Sequence, residues 1–442
     1  MLRRLLTNSQ LRALRRFSST ADPAGGFPAD GLLERFVRDR IRSSGPITVH
    51  EFMTLAARSA AGYYSQAPKT SEIIGAKGDF VTSPELSQAF GEIIGVWIYN
   101  ELANCGQRGE WQLVELGPGT GTLMRDILRT LHTLKVRKED VVHEERMSVH
   151  LVEASDSLID AQELALRQRP SGEQRHVRHN RTTGGIPVYW HHTLDSVPHA
   201  FSVFVANEFL DALPIHVFER EDAKWREVYV ALDSEEKLCF MASKGENLHT
   251  KGLIPPWIRD DPDRTKWEVC PQAGAIITDI AQRITIMGGF GLFVDYGHDG
   301  SRKTTSLRAY HKHQLVDPLR TPGLVDVTAD VDFGYLRRIL DRICLTFGPI
   351  EQRYFLAQMG IRLRIERLLQ QTADAEQRGH ILRAYSLLMG GGSDEMGARF
   401  KAFALFPSTL GGNPREARRL PGRLLSGGRG GERGGDEAPG RQ

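Results

Sequence analysis

The stretch Phe204-Val205-Ala206-Asn207-Glu208-Phe209-Leu210-Asp211-Ala212-Leu213-Pro214 sets an amide and two carboxylates directly after an apolar run. Open parallel sheets bind their ligands at the C-terminal ends of strands, so such a run carries polar groups to the edge where chemistry is done. In a helical turn Glu208 and Asp211, three apart, would share a face. Two carboxylates so placed can grip a planar guanidinium through paired charge-assisted hydrogen bonds. A guanidinium has a pKa of about 12.5–13.8, so a site that alkylates its nitrogen must stabilise charge and accept a proton. The competing reading is a pair of acids favoured by a helix dipole. A second run, Phe293-Val294-Asp295-Tyr296-Gly297-His298, ends in the same way. Asp295 and Tyr296 would stand at the same edge, with His298 either a base or a structural loop histidine. The catalytic candidates are Glu208, Asp211 and Asp295.

The segment from Trp111 to Leu123, WQLVELGPGTGTL, reads as strand, glycine turn and helix start. That arrangement lets backbone N–H groups meet a ligand at a helix N-terminus. Leu123, Ile127 and Leu131 would share a face of the following helix, and a second apolar run ends in Glu153. A dinucleotide fingerprint needs a glycine where this chain has Thr122; here the glycines are Gly117, Gly119 and Gly121. The spacing therefore disfavours NAD. S-adenosylmethionine has no pyrophosphate, and its methionine carboxylate and ribose can use the loop amides while Glu153 accepts the ribose hydroxyls. Glu153 lies beyond the polar insertion 135–146, which lengthens the usual interval of about 20 residues.

These residues require strands alternating with crossover helices. Apolar runs at 112–116, 148–152, 202–206 and 291–294 fit a parallel sheet covered on both faces. Residues 214–243 alternate instead and are split by polar turns, which predicts an inserted antiparallel hairpin or meander. Two helices are expected within 30–62, and one long helix from an N-cap at Ser83 to about Leu102. Asp79, Thr82 and Ser83 would then face the site or cap that helix. A helix over 333–341, a strand over 343–347, a helix around 362–388 and a strand over 400–406 should close the domain.

The chain has 442 residues, 25% charged and 40% hydrophobic, which excludes global disorder. Its longest nearly charge-free apolar run, 284–294, is 11 residues, too short for the roughly 20 that cross a bilayer. The four cysteines form no ligand-spaced cluster with histidine, so neither a disulfide framework nor a metal site is expected. The first twenty residues hold five arginines and no acid, the composition of a mitochondrial transit peptide. From Gly411 the chain is Gly/Arg/Pro-rich and reads as a disordered tail, favoured over an RNA-binding role because its two Arg-Gly-Gly units have no aromatic partner. The body between, 21–410, has 45 basic against 51 acidic side chains, so its −6 charge argues against a nucleic-acid surface.

The chain resembles the MidA-type S-adenosylmethionine-dependent methyltransferases over about 52–406. The matching blocks include Gly62-Tyr63-Tyr64, GDFVTSPELSQAFGE (78–92), ELGPGTGTLMRDILR (115–129), LVEAS (151–155), ANEFLDALP (206–214), VDYGH (294–298), AYHKHQLVDPL (309–319), DVTADVDF (326–333) and MGARFKAFAL (396–405). The resemblance implies an α/β, Rossmann-like class I methyltransferase fold with a mostly parallel sheet. It divides the chain into a helical N-terminal region (21–105), a methyltransferase domain (106–410) with an insertion (214–270), and the tail. It further implies S-adenosylmethionine as cofactor, the mitochondrial matrix, and symmetric dimethylation of an arginine on a core subunit of complex I to support its assembly. Glu115 and Asn207 join Gly117, Gly119, Gly121 and Glu153 as cofactor-binding candidates by the same resemblance. One departure stands out: the family's loop has arginine where this chain has Thr120. A non-catalytic assembly chaperone on the same fold is the alternative.

Overall fold

The computed structural model describes residues 31–59, 62–63, 82–137, 146–166, 179–182, 184–311, 314–392 and 395–411. The expected transit peptide, Asp79, Tyr64 and the tail beyond Gly411 lie outside the described residues.

Each apolar run in the first half of the domain becomes a strand, and the helices between them return the chain to the same edge. In chain order the main elements are α1 (Leu32–Ser44), α2 (Val49–Arg58), α3 (Gln88–Cys105), β1 (Trp111–Leu116), α4 (Thr122–Arg137), β2 (Met147–Val152), α5 (Asp156–Leu166), β3 (Pro187–His191) and β4 (Ser202–Asn207). Four strands follow as an insertion, β5 (His216–Glu221), β6 (Lys224–Leu232), β7 (Leu238–Ala242) and β8 (Lys266–Val269). The chain then returns through α6 (Pro271–Met287) and β9 (Gly289–His298), and makes a small sheet of β10 (Arg308–His311), β11 (Gln314–Val316) and β12 (Asp326–Thr328). It closes with α7 (Phe333–Leu340), β13 (Cys344–Glu351), α8 (Gln352–Gln358), α9 (Ile361–Gln371), α10 (Ala375–Met389) and β14 (Phe400–Pro407).

The central sheet runs β13-β14-β9-β4-β1-β2-β3, with the short strand His179–Arg181 beyond β3. β3 through β9 are parallel, whereas β14 is antiparallel to both β9 and β13. Counted by chain position, these seven strands read 3-2-1-4-5-7-6. A dinucleotide-binding sheet reads 3-2-1-4-5-6 and has no reversed strand at that point. β1 and β4 flank the switch point, so the loops after them meet at one crevice. That placement brings the glycine turn and the acid-bearing loop together.

Strand alternation sends successive side chains to two cores. Leu113, Val149, Val203, Leu292 and Ala404 pack under α3 and α4; Val114, Phe204, Phe293 and Phe403 pack under α6 and α7. The inserted strands form a separate antiparallel sheet, and its Val217 and Val230 bury against Val37 and Phe52 of α1 and α2. Among the described residues no helix is long and apolar enough to cross a membrane.

Two helix boundaries differ from the sequence expectation. The helix expected from Ser83 is a single turn, Ser83–Leu86, and breaks at Ser87, whose extended backbone (φ −159°) frees its hydroxyl to accept from the Ala89 N–H and cap α3. The expected helix around 362–388 divides because Asp374 caps α10, accepting from the Gln377 N–H.

Candidate active site

The β1–α4 turn needs a backbone that side-chain-bearing residues rarely adopt. Gly117, Gly119 and Gly121 have φ of 63°, 54° and 81°. A Cβ at Gly117 would stand 2.7 Å from Cδ2 of Phe209, so the turn and the β4 loop touch through that glycine. Thr120 and Thr122 donate their hydroxyls to Glu85 Oε1, the second at 2.8 Å. Thr120 thus docks the Ser83–Leu86 turn onto the glycine loop, a task within reach of its short side chain.

Glu153 follows β2, its Oε1 accepting from the Ser155 N–H at 2.9 Å and its Oε2 from Gln162 Nε2 at 3.2 Å. Gln162 also donates to the Gly119 carbonyl at 2.9 Å and accepts from Trp190 Nε1 at 3.1 Å. One buried amide therefore holds the glycine turn and Glu153 in register. Sequence reasoning missed Gln162; the available signal was an amide on the apolar face of α5, where it is fully buried. Glu115, at the end of β1, is 2% exposed and its Oε2 has no hydrogen-bond partner.

The loop after β4 is not the helical turn expected from the spacing. Glu208 has a left-handed backbone (φ 52°), which turns the chain sharply off the strand. The acids nonetheless converge. Glu208 Oε1 accepts from the Ser83 N–H at 2.9 Å and from Asn207 Nδ2 at 3.0 Å, leaving the buried Asn207 Oδ1 without a partner. Asp211 Oδ2 accepts from the Thr328 hydroxyl at 2.8 Å, which ties the loop to β12.

Asp295, expected as a catalytic acid, is engaged with the backbone of the acid loop. Its Oδ2 accepts from the backbone N–H groups of Phe209, Leu210 and Asp211 at 3.1, 2.8 and 3.3 Å, and its Oδ1 from the Tyr296 N–H. It clamps the acid loop to β9. Asp295→Ala would remove the acceptor of the three acid-loop amides, each costing about 1–3 kcal/mol when buried and unpaired. Hydrogen exchange at 209–211 should accelerate strongly; unchanged exchange would contradict the clamp. His298 accepts from the Gly300 N–H at 3.1 Å and faces Asp332, so it shapes the turn after β9.

Burial pushes Glu115 and Glu208 both up to about 8, with Glu153 adding to the first and Asp211 to the second. A carboxyl raised in the folded chain keeps a proton that the unfolded chain has lost. Its stabilisation is therefore full below about pH 4.5 and lost as pH rises to about 8. The slope is at most ~1.4 kcal/mol per pH unit for each group. Glu115→Gln should flatten this decline in ligand-free protein and weaken cofactor binding. Thermal melts across that window check it, and an unchanged slope would acquit the carboxyl.

This geometry fits S-adenosylmethionine: a glycine turn between a strand and a helix, an acid after the second strand, and the buried, unpartnered Glu115 Oε2 and Asn207 Oδ1 at the ends of β1 and β4. Residues 93–350 match the family model described as putative S-adenosyl-L-methionine-dependent methyltransferase. The chain belongs to this family. It is 50% identical over 91% of its length, and 93% of the relative's, to a Caenorhabditis elegans protein named protein arginine methyltransferase NDUFAF7 homolog, mitochondrial. It is 41% identical to the human protein arginine methyltransferase NDUFAF7, covering 88% of this chain and 86% of that one. A Burkholderia thailandensis structure, described as a likely methyl transferase bound to S-adenosyl-homocysteine, superposes with a TM-score of 0.68 at 25% identity, covering 86% and 92% of the two chains. The methyltransferase is a mitochondrial protein, as these relatives' names state. Gly117 meets Phe209, Gln162 joins Gly119 to Glu153, and Asn207 bonds Glu208, so the residues expected to bind cofactor and those expected to be catalytic lie around one crevice.

Proposed function

We propose that this methyltransferase acts on arginine in a protein of the mitochondrial matrix, a core subunit of complex I, and that its product is symmetric dimethylarginine. The observation that carries the reading is Glu208, a partly buried carboxyl beside Asp211 and next to the cofactor crevice. The names of the relatives support arginine as the acceptor.

Glu115 offers its unpartnered oxygen to the cofactor's ammonium, the loop amides its carboxylate, and Glu153 its ribose hydroxyls. Bound S-adenosylmethionine supplies an electrophilic methyl group. Glu208 grips the substrate guanidinium and orients one nitrogen, and Asp211, braced by Thr328, adds the second negative charge. As the new C–N bond forms, the proton leaving that nitrogen passes to Glu208, whose raised pKa of about 8 suits an acceptor near neutral pH. Positioning supplies the rest of the acceleration.

The chaperone alternative makes the opposite demand of Glu208. In cells lacking the protein, Glu208→Gln at normal abundance should leave complex I unassembled. Full rescue by that variant would overturn the catalytic reading.

A further inference from the structure

Beyond the acid loop, the C-terminal end of β9 opens into a cleft of about 540 Å³. Its lining holds three arginines, Arg302, Arg308 and Arg399, and a single carboxylate, Asp330. Asp330 pairs with both Arg302 and Arg308. These pairs leave donors over: the buried Nε of Arg302 and the buried Nε and Nη2 of Arg308 have no hydrogen-bond partner. Unpartnered guanidinium N–H groups in a recess are costly unless an acceptor arrives.

The cleft is held in shape by groups outside it. Glu268 accepts from the Ser306 N–H at 2.9 Å and from the Ser306 hydroxyl, which in turn accepts from the Asp330 N–H at 2.8 Å. Arg264 donates to the carbonyls of Gly300 and Arg302 at 2.9 and 2.7 Å. The wall nearest the acid loop is Tyr296, with Arg308 and Arg399 stacked on its ring at 5.2 and 5.0 Å. Tyr296 directly follows Asp295, and the charge of Arg308 reaches Asp211. A carboxylate-hungry recess therefore adjoins the carboxylates that would hold a guanidinium.

We infer that this cleft binds an acidic side chain of the protein substrate, near the arginine that enters the acid loop, and so selects arginines in acidic surroundings. The inference rests on the proposed protein-arginine substrate. Two opposed charges on one peptide would fix its register, with the acid in the cleft and the arginine at Glu208.

The test uses the full chain loaded with S-adenosylhomocysteine and short labelled peptides carrying one arginine, flanked by aspartate or by neutral residues. The acidic peptide should bind about tenfold more tightly at low salt, and rising salt should erode that advantage. Arg302→Gln and Arg399→Gln should each remove most of the advantage while leaving S-adenosylhomocysteine affinity and the melting temperature close to those of the unaltered protein. Equal binding of the two peptides, or a preference that survives both substitutions, overturns the inference. An acid preference in this assay, with no methyl transfer to any of the peptides when S-adenosylmethionine replaces S-adenosylhomocysteine in a separate incubation, would support the cleft and overturn the proposed reaction, so the two failures are separable.

Discussion

Glu208→Gln is expected to lower methyl transfer by about 10²–10⁴-fold, the range for loss of a positioned general base, while S-adenosylmethionine affinity stays within about twofold. The two effects separate if, as proposed, Glu208 contacts the substrate guanidinium and not the cofactor. The amide keeps the size of the carboxyl, and its oxygen can still accept from the Ser83 N–H, so the fold should survive. It removes the negative charge that grips a guanidinium and the lone pair that takes its proton. Asp211 Oδ2 already accepts from the Thr328 hydroxyl. Steady-state kinetics with a protein substrate and calorimetric titration of the cofactor measure both halves. Equal loss in both would place Glu208 in the cofactor site.

Gly117→Ala is expected to weaken S-adenosylmethionine binding by about 10²-fold or more and to lower the melting temperature. The residue has φ 63°, where a side chain costs about 1–2 kcal/mol, and the added Cβ would lie 2.7 Å from the Phe209 ring. Phe209 is the neighbour of Glu208, so relief of that clash should shift the acid loop as well as the cofactor turn. Catalysis by protein saturated with cofactor should therefore also fall. Unchanged binding would mean that the turn yields without moving either loop.

The parts of this site set by strand ends were legible in the residues. Apolar runs stopping at Leu116, Val152 and Ala206 located the crevice, because a parallel sheet delivers such ends to one edge. Turn conformation was not legible. Glu208 and Asp211, three apart, fit a helical turn by spacing, whereas the left-handed Glu208 is held by bonds to Ser83 and Val294 and by the Asp295 clamp on the residues after it. The role of Asp295 was hidden for the same reason, since its partners are backbone amides more than eighty positions away. Strand β3 was missed because its run, PVYWH, is short and mixed in polarity; it lies near the edge of the sheet and only partly buried. The break at Ser87 depends on Glu85 docking to Thr120 and Thr122, a contact no local pattern displays.

Mass-spectrometric mapping of the methyl group tests the account most directly. The full chain, or its Glu208→Gln variant, is incubated with isotope-labelled S-adenosylmethionine and isolated complex I subunits. Label on a guanidino nitrogen of one subunit, carried by the unaltered protein and absent with the variant, is the expected result. Label on lysine or a carboxylate, no label on any subunit, or equal arginine labelling by the variant would contradict it.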